Sequence, residues 1–273
     1  MNVVVVIQAR MDSTRLPGKV LMPLGGKPAI AHVLERAGWI PGVSRVVLAT
    51  TNSPADDPLV DFCHSVGAAV FRGSEEDVLD RYYQAARRFA ADVVVRVTGD
   101  CPLLAPEVSG AVVRRLLESG ADYSSNVHPP TYPDGLDTEA LTFAALERAW
   151  RGATQKSERE HVTLHVASHP ERFRLVNVAG ERDLSALRLT LDEEADYRLL
   201  GAIFAALENR GWFGSLAEVM AVLDAQPELL EINRAIGRNE GLAKSLAEDG
   251  PAGAAAGSAP QHQAERPKGG ERG

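Results

Sequence analysis

Val3-Val4-Val5-Val6-Ile7-Gln8-Ala9-Arg10-Met11-Asp12-Ser13-Thr14-Arg15-Leu16-Pro17-Gly18-Lys19 begins as an unbroken apolar, β-branched run and ends as a basic loop. A run without polar alternation reads as a strand buried on both faces. Ligands of open α/β sheets bind beyond the carboxyl ends of the strands. Arg10, Arg15 and Lys19 follow that end directly. Gly18 and the small residues Ser13 and Thr14 let backbone N–H groups approach an anion closely. The arginines offer forked donors and Lys19 a mobile point charge, a set that suits a triphosphate. The competing reading is a solvated loop whose cations pair with Asp12 and other acids. Val20 follows Gly18-Lys19, and Pro28 follows Gly26-Lys27, so Gly-x-x-x-x-Gly-Lys-[Ser/Thr] is missing. Gly-x-Gly-x-x-Gly does not follow the first strand either, which argues against a P-loop NTPase or a dinucleotide-dependent dehydrogenase.

Outward from this stretch, strands alternate with helices. Apolar spacing predicts helices over 29–38, 58–66, 77–91 and 106–119, and strands over 45–50, 69–71 and 92–97. The fold class is therefore α/β, a mostly parallel sheet covered by helices on both faces. Beyond residue 122 the pattern loosens. The three prolines of 128–135 demand a loop. Helices are predicted over 142–151, 196–209 and 215–225, and strands over 174–178 and 186–191. Residues 1–246 form the expected domain, with an insert at about 123–185. The Gly/Ala/Pro/Gln-rich 247–273 reads as a disordered tail.

The whole chain of 273 residues carries 29 Lys+Arg against 37 Asp+Glu, a formal charge of −8. Binders of nucleic acid or anionic membranes need basic surfaces, so both are excluded as general partners, and any phosphate site is local. Cys63 and Cys101 are too few for a disulfide framework or a Cys-ligated zinc site, and fit a reducing compartment. No apolar run approaches the ~20 residues of a membrane span. A cytoplasmic protein is expected.

Four further stretches carry candidate chemistry. In Arg96-Val97-Thr98-Gly99-Asp100-Cys101-Pro102, Asp100 lies just past a strand, where a carboxylate suits Mg²⁺ on phosphate oxygens; its alternative is a helix cap. Arg188-Leu189-Thr190-Leu191-Asp192 repeats that arrangement. Two strand-end aspartates could hold one or two Mg²⁺ ions, or Asp192 could cap the next helix. Tyr132 to Glu139 places Asp134, Asp137 and Glu139 around a Pro-Asp-Gly turn, able to bind sugar hydroxyls or to serve as a surface turn. Ser157 to His161 reads first as a capping box of Ser157 and Glu160, with Arg159 and His161 able to meet an acidic sugar.

The signature Ala-Arg-x-x-Ser-x-Arg-x-Pro-x-Lys is complete as Ala9, Arg10, Ser13, Arg15, Pro17 and Lys19. With it the chain resembles the sugar-acid cytidylyltransferases, most closely the spore coat polysaccharide biosynthesis protein F family. That group is similar to CMP-KDO synthetase and acylneuraminate cytidylyltransferase. The resemblance spans about Met1 to Asp224. It implies a Rossmann-like three-layer α/β/α nucleotidyltransferase that transfers CMP from CTP to an acidic sugar and releases pyrophosphate, in surface or spore-coat polysaccharide biosynthesis. By the same likeness, Arg10, Arg15 and Lys19 would bind the CTP phosphates, joined by Ser13 and Thr98. Asp100 and Asp192 would hold Mg²⁺, with Arg10, Lys19 and Asp100 catalytic. The Ala9 backbone and Arg72 would lie near the base, and Asp134, Asp137, Glu139 and His161 would line the sugar side. Relatives are often homodimers. Two departures stand out: Gly73, not proline, follows Arg72, and Glu193-Glu194-Ala195-Asp196 replaces the Thr-Pro-Glu-Asp common in KDO enzymes. Rival readings are a nucleotidyltransferase acting on a sugar 1-phosphate, a glycosyltransferase (although no Asp-x-Asp is present) and a non-catalytic sugar-nucleotide binder.

Overall fold

The computed structural model describes residues 1–211, 213–238 and 240–249. Strands are β1 Val3–Gln8, β2 Pro23–Leu24, β3 Lys27–Pro28, β4 Arg45–Thr51, β5 Ala69–Gly73, β6 Val93–Thr98, β7 Tyr123–Ser125, β8 Glu139–Thr142 and β9 Leu175–Asn177. Helices are α1 Ala29–Gly38, α2 Asp57–Ser65, α3 Val78–Arg88, α4 Pro106–Ser119, α5 Phe143–Gly152, α6 Lys156–Glu160, α7 Leu164–Ala167, α8 Glu194–Arg210, α9 Leu216–Ala225 and α10 Glu240–Glu248.

Seven strands form one sheet in the order β5-β4-β1-β6-β8-β7-β9. The first four are mutually parallel, and only β8 runs against its neighbours. The valine run of β1 lies at the centre with both faces buried, which is why it carries no polar alternation. Val3, Val5 and Ile7 pack toward α1, α2 and α4 through residues such as Ile30, Leu59 and Val112. Val4 and Val6 pack toward α3 and α5 through Leu79, Tyr82 and Leu146. Helices thus cover both faces, and the expected mostly parallel three-layer fold is the one found. A third cluster, of Leu24, Leu103, Leu189 and Leu191 under α8 and α9, closes the end of the sheet.

The main departure is at 186–191, where a strand is predicted. This segment forms only an isolated bridge between Asp134 and Arg188. Its amides go to loops instead: Leu189 N–H to Asp134 O at 2.7 Å and Leu191 N–H to Asp100 O at 2.8 Å. Its apolar residues are buried under helices, so their pattern mimics a sheet strand. β7 and β8 were not legible as strands, being short and flanking the proline-rich loop on either side. Of the expected tail, residues 247 and 248 complete α10. Asp249 follows it, and 250–273 lie outside the described residues.

Candidate active site

Beyond the carboxyl ends of β1 and β6, backbone geometry delivers a lysine and two aspartates to one point. Gly18, at φ +71°, starts a single 3₁₀ turn that buries Lys19. Its Nζ donates to Asp100 Oδ2 at 2.8 Å and to Asp192 Oδ1 at 2.6 Å. Asp100 follows Gly99, whose N–H donates to Gln8 O at 2.8 Å. A Cβ on Gly99 would lie 2.7 Å from Ala9 Cβ, so only glycine admits this close approach. Asp192 is not at the end of a sheet strand, as expected from sequence. It reaches Asp100 because Thr190 Oγ1 and Leu191 N–H both donate to Asp100 O. Neither aspartate is a helix cap. Ala105 precedes α4, and Glu193 caps α8 in a box with Asp196. Burial pulls the Lys19 ammonium down, but Asp100 and Asp192 outweigh it and hold it above its ordinary value. Burial likewise pushes the Asp100 carboxyl up, and Lys19 reverses this, holding it at about 2.

The basic loop is anchored by a residue that sequence reading missed. Buried Asp56 accepts from Met11 N–H at 2.7 Å, while its other oxygen accepts from Thr50 Oγ1, Thr51 N–H and Thr51 Oγ1. Its position in an unremarkable Ala-Asp-Asp-Pro stretch gave no signal. Arg10 faces Glu75 at 3.7 Å, and both are 48% exposed. Arg15 faces Asp192 at 3.2 Å and Glu193 at 3.7 Å. Ala9 is buried just past β1, Ser13 is half-buried in the loop, and Thr98 Oγ1 sits 3.2 Å from Cys101 Sγ. Arg72 departs from expectation. Its Nε donates to Thr51 O at 2.8 Å, Nη2 to Ser53 O and Nη1 to Asp57 Oδ1, both at 2.6 Å. The guanidinium is spent on shaping the 51–57 loop, and Arg72 is not among the described residues lining the cavity.

That cavity, of about 390 Å³, opens beside Asp100 and Asp192 and runs along Thr98, Arg96, Asp134, Asp137, Glu139 and His161. Its size falls in the range of small-molecule sites. Gly135, at φ +100°, lets the Pro-Asp-Gly turn pack on the 189–190 backbone; a Cβ there would lie 2.5 Å from Leu189 C. Buried Asn126 holds the next residues, donating to Leu136 O at 2.9 Å and accepting from Thr138 N–H at 2.8 Å. Each acid of this wall has a cation. Arg188 Nη1 reaches Asp134 Oδ2 at 3.1 Å, and Arg238 Nη2 reaches Asp137 Oδ1 at 2.5 Å. Arg96 binds Glu139 across the β6–β8 pair. Burial raises the Asp134 carboxyl against Arg238 and Arg188, and raises that of Asp137 to about 6 despite Arg238. Burial acts the same way on Glu139, yet Arg96 prevails and lowers it.

Several expectations change accordingly. Both Glu139 oxygens are engaged, by Arg96 and by the Tyr123 hydroxyl, so its carboxylate is fixed where it lines the cavity. His161 lines the cavity with Nε2 3.0 Å from Ser245 Oγ, and burial lowers its pKa. Arg159 turns away, pairing with Asp77 and donating to Trp150 O. The capping box here belongs to Gln155 and Glu158, not Ser157 and Glu160.

Arg188 is the second residue missed. Its Nε and Nη2 grip the two oxygens of fully buried Asp196 at 3.0 Å each, and Nη2 also reaches Asp192 Oδ2 at 3.1 Å. One guanidinium therefore ties the Lys19–Asp100–Asp192 corner to the acidic wall. The i to i+4 spacing of Arg188 and Asp192 was readable, but their relation to Asp134 was not. Two cavity-lining residues, Gln8 and Arg96, keep buried polar atoms (Oε1 and Nε) with no hydrogen-bond partner among the described residues.

A parallel sheet with a basic loop and paired aspartates beyond its carboxyl edge defines a nucleotidyltransferase-type architecture. The chain belongs to the cytidylyltransferase family, whose profile matches residues 4–208. It is 32% identical to the spore coat polysaccharide biosynthesis protein SpsF of Bacillus subtilis over 233 residues, covering 83% of this chain and 96% of the relative. It is 43% identical to a 3-deoxy-manno-octulosonate cytidylyltransferase of Anaeromyxobacter dehalogenans over 221 residues, 72% of this chain and 88% of that one. Among solved structures, a cytidylyltransferase from Leptospira borgpetersenii superposes with TM-score 0.80 at 33% identity, covering 84% of this chain and 97% of that chain. Among the described residues no helix is long and apolar enough to cross a membrane.

Proposed function

We propose that this protein transfers CMP from CTP to an acidic sugar, releasing pyrophosphate, with Mg²⁺ as its metal. The observation that carries the proposal is the convergence of Lys19, Asp100 and Asp192 beside the cavity. The names of the two matched relatives, a 3-deoxy-manno-octulosonate cytidylyltransferase and a spore coat polysaccharide biosynthesis protein, support the substrate class. Homodimeric assembly in the cytoplasm and a role in surface or spore-coat polysaccharide synthesis complete the reading.

The donor set fits the metal. Two carboxylate oxygens already share one cationic centre, and hard oxygen ligands suit Mg²⁺. Asp100 and Asp192 would hold the ion, which when bound neutralises phosphate charge and acidifies a coordinated hydroxyl. In the reaction, a sugar hydroxyl oxygen, giving up its proton to water, bonds to the α-phosphorus of CTP as the bond from that phosphorus to the bridging β-phosphate oxygen breaks and pyrophosphate leaves. Catalysis of this kind is mainly positioning and charge neutralisation. Arg10 and Arg15 exchange their exposed partners Glu75 and Glu193 for phosphate oxygens. Lys19, buried and held as an ammonium, offsets charge on the departing pyrophosphate. The Asp134 and Asp137 wall accepts hydrogen bonds from sugar hydroxyls.

The test is a pyrophosphate-release screen crossing the four NTPs with acidic sugars, with and without Mg²⁺. Release is expected with CTP, an acidic sugar and Mg²⁺ together. Silence with CTP beside activity with another NTP and a sugar 1-phosphate would overturn the assignment.

A further inference from the structure

The segment after α9 lies beyond the 4–208 match to the family, yet it completes the cavity. Residues 233–238 and 240–249 run across its sugar end as a strap fixed on both sides. On one side Asn233 Nδ2 donates to Arg188 O at 3.0 Å and Asp196 Oδ1 at 2.8 Å, while Arg188 Nη1 donates to Gly237 O at 3.1 Å. On the other, α10 meets α6: Ser245 Oγ contacts His161 Nε2 and Glu160 Oε2 at 3.0 Å each, and Ser157 N–H donates to Asp249. Between these anchors Gly241 and Leu242 form part of the cavity wall.

Arg238 is the strap's only described cation that grips the acidic wall. Its Nη1 donates to Tyr132 O at 3.0 Å and its Nη2 to Asp137 Oδ1. The guanidinium is thus clamped to both ends of the Pro-Asp-Gly loop. The second oxygen of Asp137 has no partner among the described residues, and the Asp137 side chain stays 30% exposed where it lines the cavity.

We propose that this strap is the acceptor wall of the site, and that Arg238 is a positioning residue that fixes the Asp137 carboxylate so that its free oxygen receives acceptor hydroxyls. The proposal rests on the cytidylyl-transfer reading and extends it to the acceptor side. The charged and titratable groups facing Asp137 are Arg238 from the strap, Asp134 from its own turn, Glu139 with its Arg96 from β8 and β6, and Cys101 after β6. Of these, Arg238 opposes the rise that burial and the neighbouring acids impose on Asp137, whose carboxyl stands at about 6. Removing the cation drives it further up, so Asp137 stays protonated to higher pH.

The test compares Arg238→Gln with the unaltered chain. The acceptor KM is expected to rise about tenfold or more, the loss of one charge-assisted hydrogen bond, with the KM for CTP unchanged. The acid limb of kcat/KM for the acceptor is expected to move up by about one pH unit. ¹³C NMR titration of the Asp137 carboxyl reads the same shift without turnover. Arg238→Lys, which keeps the charge, is expected to restore part of both effects. If Arg238→Gln does not fold, Asp137→Asn takes its place: the same acceptor-specific KM rise and loss of the acid limb are expected. Equal rises in both KM values, or an unmoved Asp137 titration, overturn the strap's role. A wild-type chain that releases no pyrophosphate from any pair overturns the cytidylyl reading instead, and the carboxyl titration still decides the strap.

Discussion

The two ends of the site are built in opposite ways. At the proposed phosphate end, Arg10 and Arg15 are 48% and 40% exposed and hold 3.7 Å, solvent-screened ion pairs with Glu75 and Glu193, although Arg15 also reaches Asp192 at 3.2 Å. Such pairs contribute only ~0–1 kcal/mol and are readily exchanged. At the acceptor end, Asp134, Asp137, Glu139 and Asp196 are matched to Arg188, Arg238 and Arg96 in partly or wholly buried networks. One end holds loose charge, which on the proposed reading meets the triphosphate. The other spends its charges on its own architecture and offers a few leftover oxygens. Substitutions should therefore act mainly on stability at the second end and mainly on catalysis at the first.

The sharpest test of that division is Arg188→Leu. It leaves the buried Asp196 carboxylate without its cation, held among the described residues only by Asn233 and the Asp192 and Glu193 amides, and frees Asp134 and Asp192 to repel each other. Breaking a buried ion pair from one side costs about 3–5 kcal/mol, expected as a drop of that size in denaturant unfolding free energy. A loss below ~1 kcal/mol would show that the network is not structural. Asp100→Asn is the reverse case. Its carboxylate is partly open to the cavity, and Lys19 keeps Asp192 as a partner. Pyrophosphate release should fall about 10²–10³-fold, the size of losing one preorganised charge contact in a transition state. The melting transition should move little by comparison. Near-normal turnover would remove Asp100 from the chemistry.

The same division explains what the sequence could tell. The phosphate end is local: Gln8 to Lys19 is one continuous stretch, and Gly99-Asp100 follows a strand that β-branched residues make obvious. Its helices and central strands were legible because each buries a face with its own period. The acceptor end is assembled from segments around residues 96, 134, 161, 188 and 238, and no periodicity links them. Arg188 lay inside a stretch that reads as a strand because Leu189 and Leu191 are buried, although helices rather than neighbouring strands bury them. Arg238 sits in a segment without an apolar pattern. Arg72 is the opposite case: only the family resemblance placed it near the base, and in the structure carbonyls at Thr51 and Ser53 take up its donors.

The smallest expected effect on stability separates the two arginines that look alike in sequence. Arg10→Ala removes one exposed pair at 3.7 Å, so unfolding free energy should stay within ~0.5 kcal/mol. The KM for CTP should nevertheless rise about tenfold, because a charge-assisted phosphate contact is lost. Arg72→Ala should invert that pattern. It strips donors from Thr51 O, Ser53 O and Asp57, loosening the loop beside Asp56 that anchors Met11. A drop of about 1–2 kcal/mol in stability is expected, with CTP affinity at saturating folded protein changed less than in Arg10→Ala. Isothermal titration with CTP alongside urea unfolding reads both quantities on the same samples. If Arg72→Ala weakens CTP binding more than Arg10→Ala does, the base or its sugar reaches the 51–57 loop, and the boundary of the phosphate end must be redrawn to include β5.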